Sequence, residues 1–143
     1  MQDLAFDHVV EIGGDAEGWE RAPYWLDGAI PLAWQLRDTA MQARITRYVD
    51  HIVTHQRDDG SWHQYYIAGD DGSTQVEQDK LDANVCAYVA AGVWHRWLLT
   101  DDKAFVEAMW PVVEKAIDFV LDLQTPRGEI LWARHADGTP WSF

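Results

Sequence analysis

Residues 102–128 read DKAFVEAMWPVVEKAIDFVLDLQTPRG, and this stretch decides the fold class. Between Phe105 and Leu121 apolar residues recur at intervals of three and four, which places them on one face of a helix. Residues 100–102 supply capping side chains before this run, and Pro126 and Gly128 end it. We therefore predict an amphipathic helix over 102–123 whose apolar face packs against other elements.

Three further segments have helical patterns, over residues 24–36, 39–56 and 80–99. The segment 80–99 is apolar around most of its circumference, which predicts a deeply buried helix. Three tryptophans at helical positions are predicted as core or helix–helix contacts: Trp94, Trp97 and Trp110. The fold class is therefore all-α, with a short strand near 130–134. Residues 1–22 are predicted as a lead-in loop, and 61–79 as a long loop with room for a short β-hairpin.

One motif repeats along the chain. Gln56-x-x-x-Gly60-x-Trp62 follows one helix and Gln124-x-x-x-Gly128 follows another, and the difference, 124 − 56, is 68 positions. A helical hairpin cannot bury its apolar faces alone, so such repeats need stacked neighbours. The sequence therefore predicts about two hairpins of an incomplete (α/α) toroid, in a single partial domain over 1–143. Unfinished faces would favour self-association.

Charge and cysteine content exclude several classes of function. The formal net charge is −13, which disfavours nucleic acid and anionic lipid as partners. Cys86 is the single cysteine, so neither an intrachain disulfide nor a cysteine-based zinc site can form. With no long apolar run and no signal-like start, we expect a cytoplasmic protein with no membrane span. The sequence indicates no cofactor.

Two groups of short sequence segments resemble known protein families. Residues 18–28 read GWERAPYWLDG and precede PLA at 31–33. Through them, residues 13–38 resemble the β-L-arabinofuranosidase-like glycoside hydrolases, which have an (α/α)6 barrel and a cysteine nucleophile. Cys86 lies inside an apolar helix and does not match that nucleophile, so the family's catalytic residues are not carried over.

The second group lies further along the chain, at 59–66 (DGSWHQYY), 77–84 (EQDKLDAN), 124–129 (QTPRGE) and 132–135 (WARH). Through them, residues 56–143 resemble bacterial prenyltransferase-like α/α-toroid proteins, which share the shape of six-hairpin glycosidases such as glucoamylases. The acidic and zinc motifs of prenyl chemistry have no match here. The two resemblances meet near 58–62, so a chimeric reading frame is a further interpretation.

An acidic cluster, Glu77, Asp79 and Asp82, stands where a polar loop enters the third helix. Glycoside hydrolysis needs one carboxylic acid to protonate the leaving oxygen and a second carboxylate to attack or to activate water. We assign Glu77 and Asp79 to proton transfer and Asp82 to orientation. The structural alternative is that Asp79 or Asp82 caps the helix.

The candidate substrate-binding residues are the loop aromatics Trp62, Tyr66 and Trp132, together with Arg21 and Trp25. Loop aromatics can stack on sugar rings, although Trp62 and Trp132 would equally suit a packing role over helix ends. Arg21 would hold a sugar hydroxyl or pair with a neighbouring carboxylate such as Asp27. No metal site is predicted, since His51 and His55 lack an acidic third ligand.

These features favour a carbohydrate-active fragment, glycoside hydrolase-like, with a carbohydrate substrate. Two alternatives stay open: a terpenoid cyclase or prenyltransferase-like toroid, which would have an apolar cavity, and a non-catalytic helical scaffold.

Overall fold

A computed structural model describes residues 9–11, 21–62, 65–68 and 74–141, some of them by their backbone alone. The described residues form four helices, listed here with their bounds: α1 (Arg21–Gln35), α2 (Thr39–Thr54), α3 (Ala83–Thr100) and α4 (Lys103–Asp122). Five short strands complete the description: β1 (Val9–Glu11), β2 (Tyr65–Ala68), β3 (Thr74–Gln78), β4 (Lys80–Asp82) and β5 (Ala133–His135). The all-α prediction with a short β-hairpin is confirmed.

Apolar side chains collect in two clusters. The major core lies between α2, α3 and α4 and contains, among others, Ile52, Trp62, Leu81, Val85, Cys86, Met109, Val112, Ala116, Phe119 and Leu123. The minor core lies between α1 and α2 and contains Ala29, Ile30, Ala33 and Ile45. Leu26 and Val49 contact both clusters, so the two cores are continuous.

The helices alternate in direction. α1 runs from Leu26, at the major core, to Ala33 in the minor core, and α3 runs the same way from Val85 to Leu99. α2 follows α1 through a short turn and returns, and α4 follows α3 in the same manner. The parallel helices α1 and α3 pack directly on each other. The chain therefore forms two helical hairpins placed side by side.

The short turns within the two hairpins have the same backbone conformation, in which a residue with positive φ precedes the aspartate that caps the next helix. Arg37 (φ 54°) precedes the α2 cap Asp38, and Asp101 (φ 50°) precedes the α4 cap Asp102. The difference, 101 − 37, is 64 positions. The Asp38 side chain accepts hydrogen bonds from the N–H groups of Ala40 and Met41, and the Asp102 side chain accepts one from Phe105. These first N–H groups have no partner inside the helix.

The strands gather at the opposite end of the hairpins. β1, β2 and β3 form an antiparallel sheet in that order, and β4 pairs antiparallel with β5. Thus each hairpin has a strand before it that pairs with a strand after it. This pairing explains two differences from the predictions. β1 and the first residues of α1 fall in the expected lead-in loop, and α3 starts at Ala83 because Lys80–Asp82 pairs with β5.

The repeat is present in the hydrogen bonds. Gln56 Nε2 donates to the Gly60 carbonyl at 3.1 Å, and Gln124 Nε2 donates to the Gly128 carbonyl at 3.1 Å. The backbone bonds of the two turns also match at the same offset of 68 (128 − 60), and both glycines have positive φ. The recurring sequence motif is therefore a recurring turn.

The prediction of a deeply buried α3 is wrong. Its fully buried side chains lie in the first turn alone, while Trp94 is 57% exposed. Trp110 on α4 is 59% exposed, so the prediction that it lies in the core is also wrong. Apolar character all around a helix indicates contact on several sides, and the two hairpins supply only some of those contacts. None of the described helices is long and apolar enough to cross a bilayer.

Gly60 offers a stability test because of its close approach to α4. A Cβ built on Gly60 would lie 2.0 Å from the Lys115 carbonyl oxygen, and its φ is +86°. We expect Gly60→Ala to lower the free energy of unfolding by about 3 kcal/mol or more, since overpacking adds to backbone strain. Urea denaturation measures this. Gly138→Ala is the matched control: φ is +90° and no neighbour lies within 4 Å, so it should cost about 1–2 kcal/mol. Equal losses would contradict the close approach.

Candidate functional site

The candidate site lies at the strand end of the hairpins, where α3 begins and α4 ends. Asp82, the last residue of β4, is 1% exposed. Its Oδ1 accepts hydrogen bonds from the backbone N–H groups of Asn84 at 2.8 Å and Val85 at 3.2 Å. Asp82 is thus the N-cap of α3, which is the structural alternative considered from the sequence.

A buried lysine balances the charge of Asp82. Lys80 Nζ lies 3.3 Å from Asp82 Oδ2, and both side chains are shielded from water. Loss of solvation raises the pKa of Asp82, and the Val85 hydrogen bond and the charge of Lys80 offset part of that rise. Lys80 Nζ also lies 3.7 Å from the centre of the Trp132 ring and 5.8 Å from that of Trp141. The ammonium therefore joins the buried carboxylate to two tryptophan rings.

Asp79 lies at the surface of this arrangement, with its side chain 54% exposed. Its two carboxylate oxygens lie 3.1 and 3.2 Å from His135 Nδ1. The His135 ring packs on Trp141, with ring centres 4.5 Å apart and planes tilted by 35°. The structure thus brings an accessible carboxylate, an imidazole and an indole together. Sequence reasoning assigned no catalytic role to His135, because its contact with Asp79 depends on the pairing of β4 with β5.

A second carboxylate network supports the same end of the molecule. Asp59 Oδ1 accepts hydrogen bonds from the Ser61 hydroxyl at 2.6 Å and the Ser61 N–H at 3.1 Å, and Asp59 Oδ2 accepts one from Arg134 Nη2 at 3.1 Å. Partial burial alone would raise the pKa of Asp59, but these hydrogen bonds and the charge of Arg57 outweigh it and lower the pKa. Asp59 therefore ties the loop after α2 to β5.

Trp62 is placed in the core. It is 1% exposed, and its Nε1 donates to the Ile52 carbonyl at 2.7 Å. The prediction that it stacks on a sugar is not supported by this position, because its ring faces are covered by the major core. The alternative, packing over a helix end, is what the structure shows. Trp132 keeps a half-buried position beside Lys80.

Other candidate residues are described by their backbone alone. Glu77 lies in β3 and Tyr66 in β2, which places them on neighbouring strands, while Arg21 and Trp25 lie in the first turns of α1. Their side chains lie outside the described residues. The expected pairing of Arg21 with Asp27 therefore lies outside the described residues. Asp27 Oδ1 lies 2.8 Å from His95 Nδ1 on α3.

A small apolar cavity of about 50 Å³ lies between the four helices. Its lining includes Leu26, Val49, Tyr88 and Val89, and none of the candidate acids. Its volume is roughly that of one or two water molecules and well below the ~300 Å³ of a small-ligand pocket. This cavity therefore does not suit an isoprenoid. Within the described residues no cluster of histidine, cysteine and carboxylate side chains could hold a metal ion.

Comparison with known proteins adds a relative. No family model matches the chain. Over 131 residues the chain is 43% identical to a protein of Mycolicibacterium hassiacum named "MMP endo-(1,4)-3-O-methyl-alpha-D-mannosidase". The match covers 87% of this chain and 35% of the relative, so the chain spans about a third of the length of that protein. The chain is therefore related in sequence to a glycoside hydrolase.

Asp59 leads to a pH prediction. Because its pKa is lower in the folded state than the ordinary value of 3.8, the stabilisation is present above that pH and is lost as pH falls through the folded-state pKa. We expect Asp59→Asn to lower the free energy of unfolding at pH 7. The difference in urea midpoint between this variant and wild type should shrink as the pH falls from 4 to 2. Asp58→Asn, at the exposed neighbouring position, is the control. A stability difference independent of pH would contradict the assignment.

Cys86 provides a test of the core. It is fully buried on α3, and burial raises the pKa of its thiol to about 12. Since the thiolate is the reactive form, we expect native protein to resist a thiol reagent such as DTNB at pH 8 and to react promptly in strong denaturant. Rapid labelling of the native chain would show that the major core is not closed around α3.

Proposed function

We propose that the chain is part of a carbohydrate-active α/α-toroid protein and takes part in acid–base hydrolysis of a glycosidic bond. The observation that carries this proposal is the 43% identity to a glycoside hydrolase over most of the chain. Two parallel helices, each followed by a returning helix, agree with a toroid built from hairpins. The substrate proposed for this chain is a 1,4-linked α-mannoside bearing 3-O-methyl groups.

The proposed site has Asp79 as the group that transfers a proton. It is the described candidate carboxylate that solvent and substrate can reach, because Asp82 is enclosed. The nearby Trp132 and Trp141 rings supply apolar surfaces of the kind that stack on pyranose faces and methyl groups. In this proposal the buried ion pair of Asp82 and Lys80 fixes the orientation of β4.

Glu77 is the proposed partner carboxylate. It lies in β3, two residues before Asp79, and β3 pairs with β2, which carries Tyr66. Two carboxyl groups about 5–10 Å apart are needed for retaining or inverting hydrolysis. In this proposal Trp62 acts as a buried support of the site, and Tyr66, Trp25 and Arg21 contact sugar.

A mutational assay tests the proposal. The substrate is a 1,4-linked oligosaccharide of 3-O-methyl-α-D-mannose, and the readout is reducing ends released by the full chain. We expect Asp79→Asn and Glu77→Gln each to lower the rate by about 10²- to 10⁴-fold, the usual contribution of a general acid or base. Asp137→Asn, at an exposed turn after β5, is the matched control and should keep the rate. Wild-type protein without cleavage, or an active Asp79→Asn variant, would count against this assignment.

The terpenoid alternative has less support. It calls for an apolar cavity able to hold an isoprenoid, and the cavity between the helices is too small for one.

A further inference from the structure

The Asp79 carboxylate lies at the junction of two sheets and contacts an imidazole 56 positions further along the chain. Asp79 is the single residue between β3, which belongs to the three-stranded sheet, and β4, which belongs to the two-stranded sheet. Because it lies in neither strand, strand pairing alone does not fix the direction of its side chain. Among the described residues, the hydrogen-bond partner of this carboxylate is His135, whose Nδ1 lies 3.1 Å from Oδ1 and 3.2 Å from Oδ2.

The imidazole is itself held by its backbone and by a neighbouring ring. The His135 N–H donates to the Thr139 carbonyl at 2.8 Å, and the His135 carbonyl accepts from the Gly138 N–H at 3.0 Å. His135 is also the strand partner of Lys80, the first residue of β4. Its ring packs on Trp141, with ring centres 4.5 Å apart. These contacts limit the freedom of the imidazole to turn away from the carboxylate.

The hydrogen bond runs from the imidazole to the carboxylate. A carboxylate only accepts hydrogen bonds, whereas an imidazole nitrogen donates when it carries a proton. Nδ1 of His135 is therefore the protonated nitrogen, in the neutral ring as well as in the charged ring. An N–H group near both oxygens of Asp79 restricts rotation of the carboxylate, and the acceptor form of the carboxylate is the form that a general base requires.

We propose that His135 is a positioning residue that orients Asp79 as the general base of the site. The proposal rests on the glycoside hydrolysis proposed above, and it divides that reaction between the two acids. The proton of the attacking water passes to Asp79 while the water oxygen bonds to the sugar carbon. The glycosidic C–O bond breaks as Glu77 protonates the leaving oxygen. His135 acts through Asp79 and touches neither the water nor the sugar.

Matched substitutions separate the hydrogen bond from the ring contact. His135→Phe keeps a ring beside Trp141 but has no N–H, so kcat for release of reducing ends should fall about 10- to 100-fold, with KM within about twofold of wild type. His135→Asn keeps an amide nitrogen at the same number of bonds from the backbone as Nδ1, so it should recover most of that loss. A wild-type kcat for His135→Phe, or no recovery with His135→Asn, would overturn the positioning role.

A double-mutant cycle tests whether His135 acts through Asp79. Asp79→Asn already removes the carboxylate that the imidazole holds, so adding His135→Phe should slow this variant by less than about twofold. Losses that multiply would show that His135 contributes by another route, and would contradict the proposal.

Asp137→Asn is the control for a neighbouring carboxylate. Asp137 Oδ1 accepts hydrogen bonds from the Thr139 N–H at 2.9 Å and from the Thr139 hydroxyl at 2.7 Å, so its own turn orients it. This substitution should leave kcat unchanged. A loss as large as that of His135→Phe would assign the effect to the turn after β5 and would count against the imidazole.

An activated substrate tests the division of roles between the two acids. A dinitrophenyl glycoside of the same sugar has a leaving group that needs no proton. Glu77→Gln should therefore regain most of its rate on this substrate, whereas Asp79→Asn should stay slow. The reverse pattern would overturn the assignment of Asp79 as the base.

The imidazole spectrum is a readout that does not depend on catalysis. Long-range ¹H–¹⁵N correlation spectra at about pH 8.5, where an ordinary imidazole is neutral, should show the proton of His135 on Nδ1. Asp79→Asn should change this signal more than Asp137→Asn does. A proton on Nε2 in the wild-type chain would contradict the proposed hydrogen bond.

The glycosidase proposal and the positioning role fail in different ways. A wild-type chain that releases no reducing ends would overturn the glycosidase proposal and with it any catalytic role of His135, whatever the spectrum shows. A chain that cleaves, and that loses its rate in Asp79→Asn but not in His135→Phe, would overturn the positioning role alone. Protection of the Cys86 thiol confirms that each variant is folded.

Discussion

The contact between the turn after α2 and the backbone of α4 fixes how the two hairpins pack against each other. Gln56 donates hydrogen bonds to Gly60 within its own turn and to Val112 on the other hairpin, so one side chain both shapes the turn and attaches it to α4. Gly60 has no Cβ, which allows the turn to approach the Lys115 carbonyl. The position of the second hairpin against the first depends on this contact, and so does the closure of the major core over Trp62.

Buried and partly buried charged side chains stabilise the end of the molecule where the strands lie. Asp82 caps α3, Lys80 compensates its charge and contacts the Trp132 ring, and Asp59 links the preceding loop to Arg134. A buried carboxylate and ammonium are costly to separate, because either one alone would lack solvation. These pairs therefore hold β4 and β5 together. The pairing of those strands is what brings Asp79 and His135 into contact.

The two hairpins bury much less apolar surface than their sequence pattern calls for. Trp94 and Leu98 on α3 and Trp110 on α4 are exposed, although each lies in a helix with a strong apolar pattern. In repeat architectures each unit covers such faces on its neighbours. Apolar periodicity indicates that a helix face favours burial. It does not indicate whether the same chain supplies the surface that covers this face.

The four helices, their approximate limits and the 68-residue recurrence could be predicted from the sequence alone, since these follow from local periodicity, caps and turn chemistry. The acidic cluster at 77–82 was also visible. Tertiary structure decided which carboxylate is buried as a cap, which is accessible, and that Trp62 belongs to the core. The pairs Asp79–His135 and Asp27–His95 join residues more than fifty positions apart. Such contacts depend on strand register and helix packing, which local patterns do not contain.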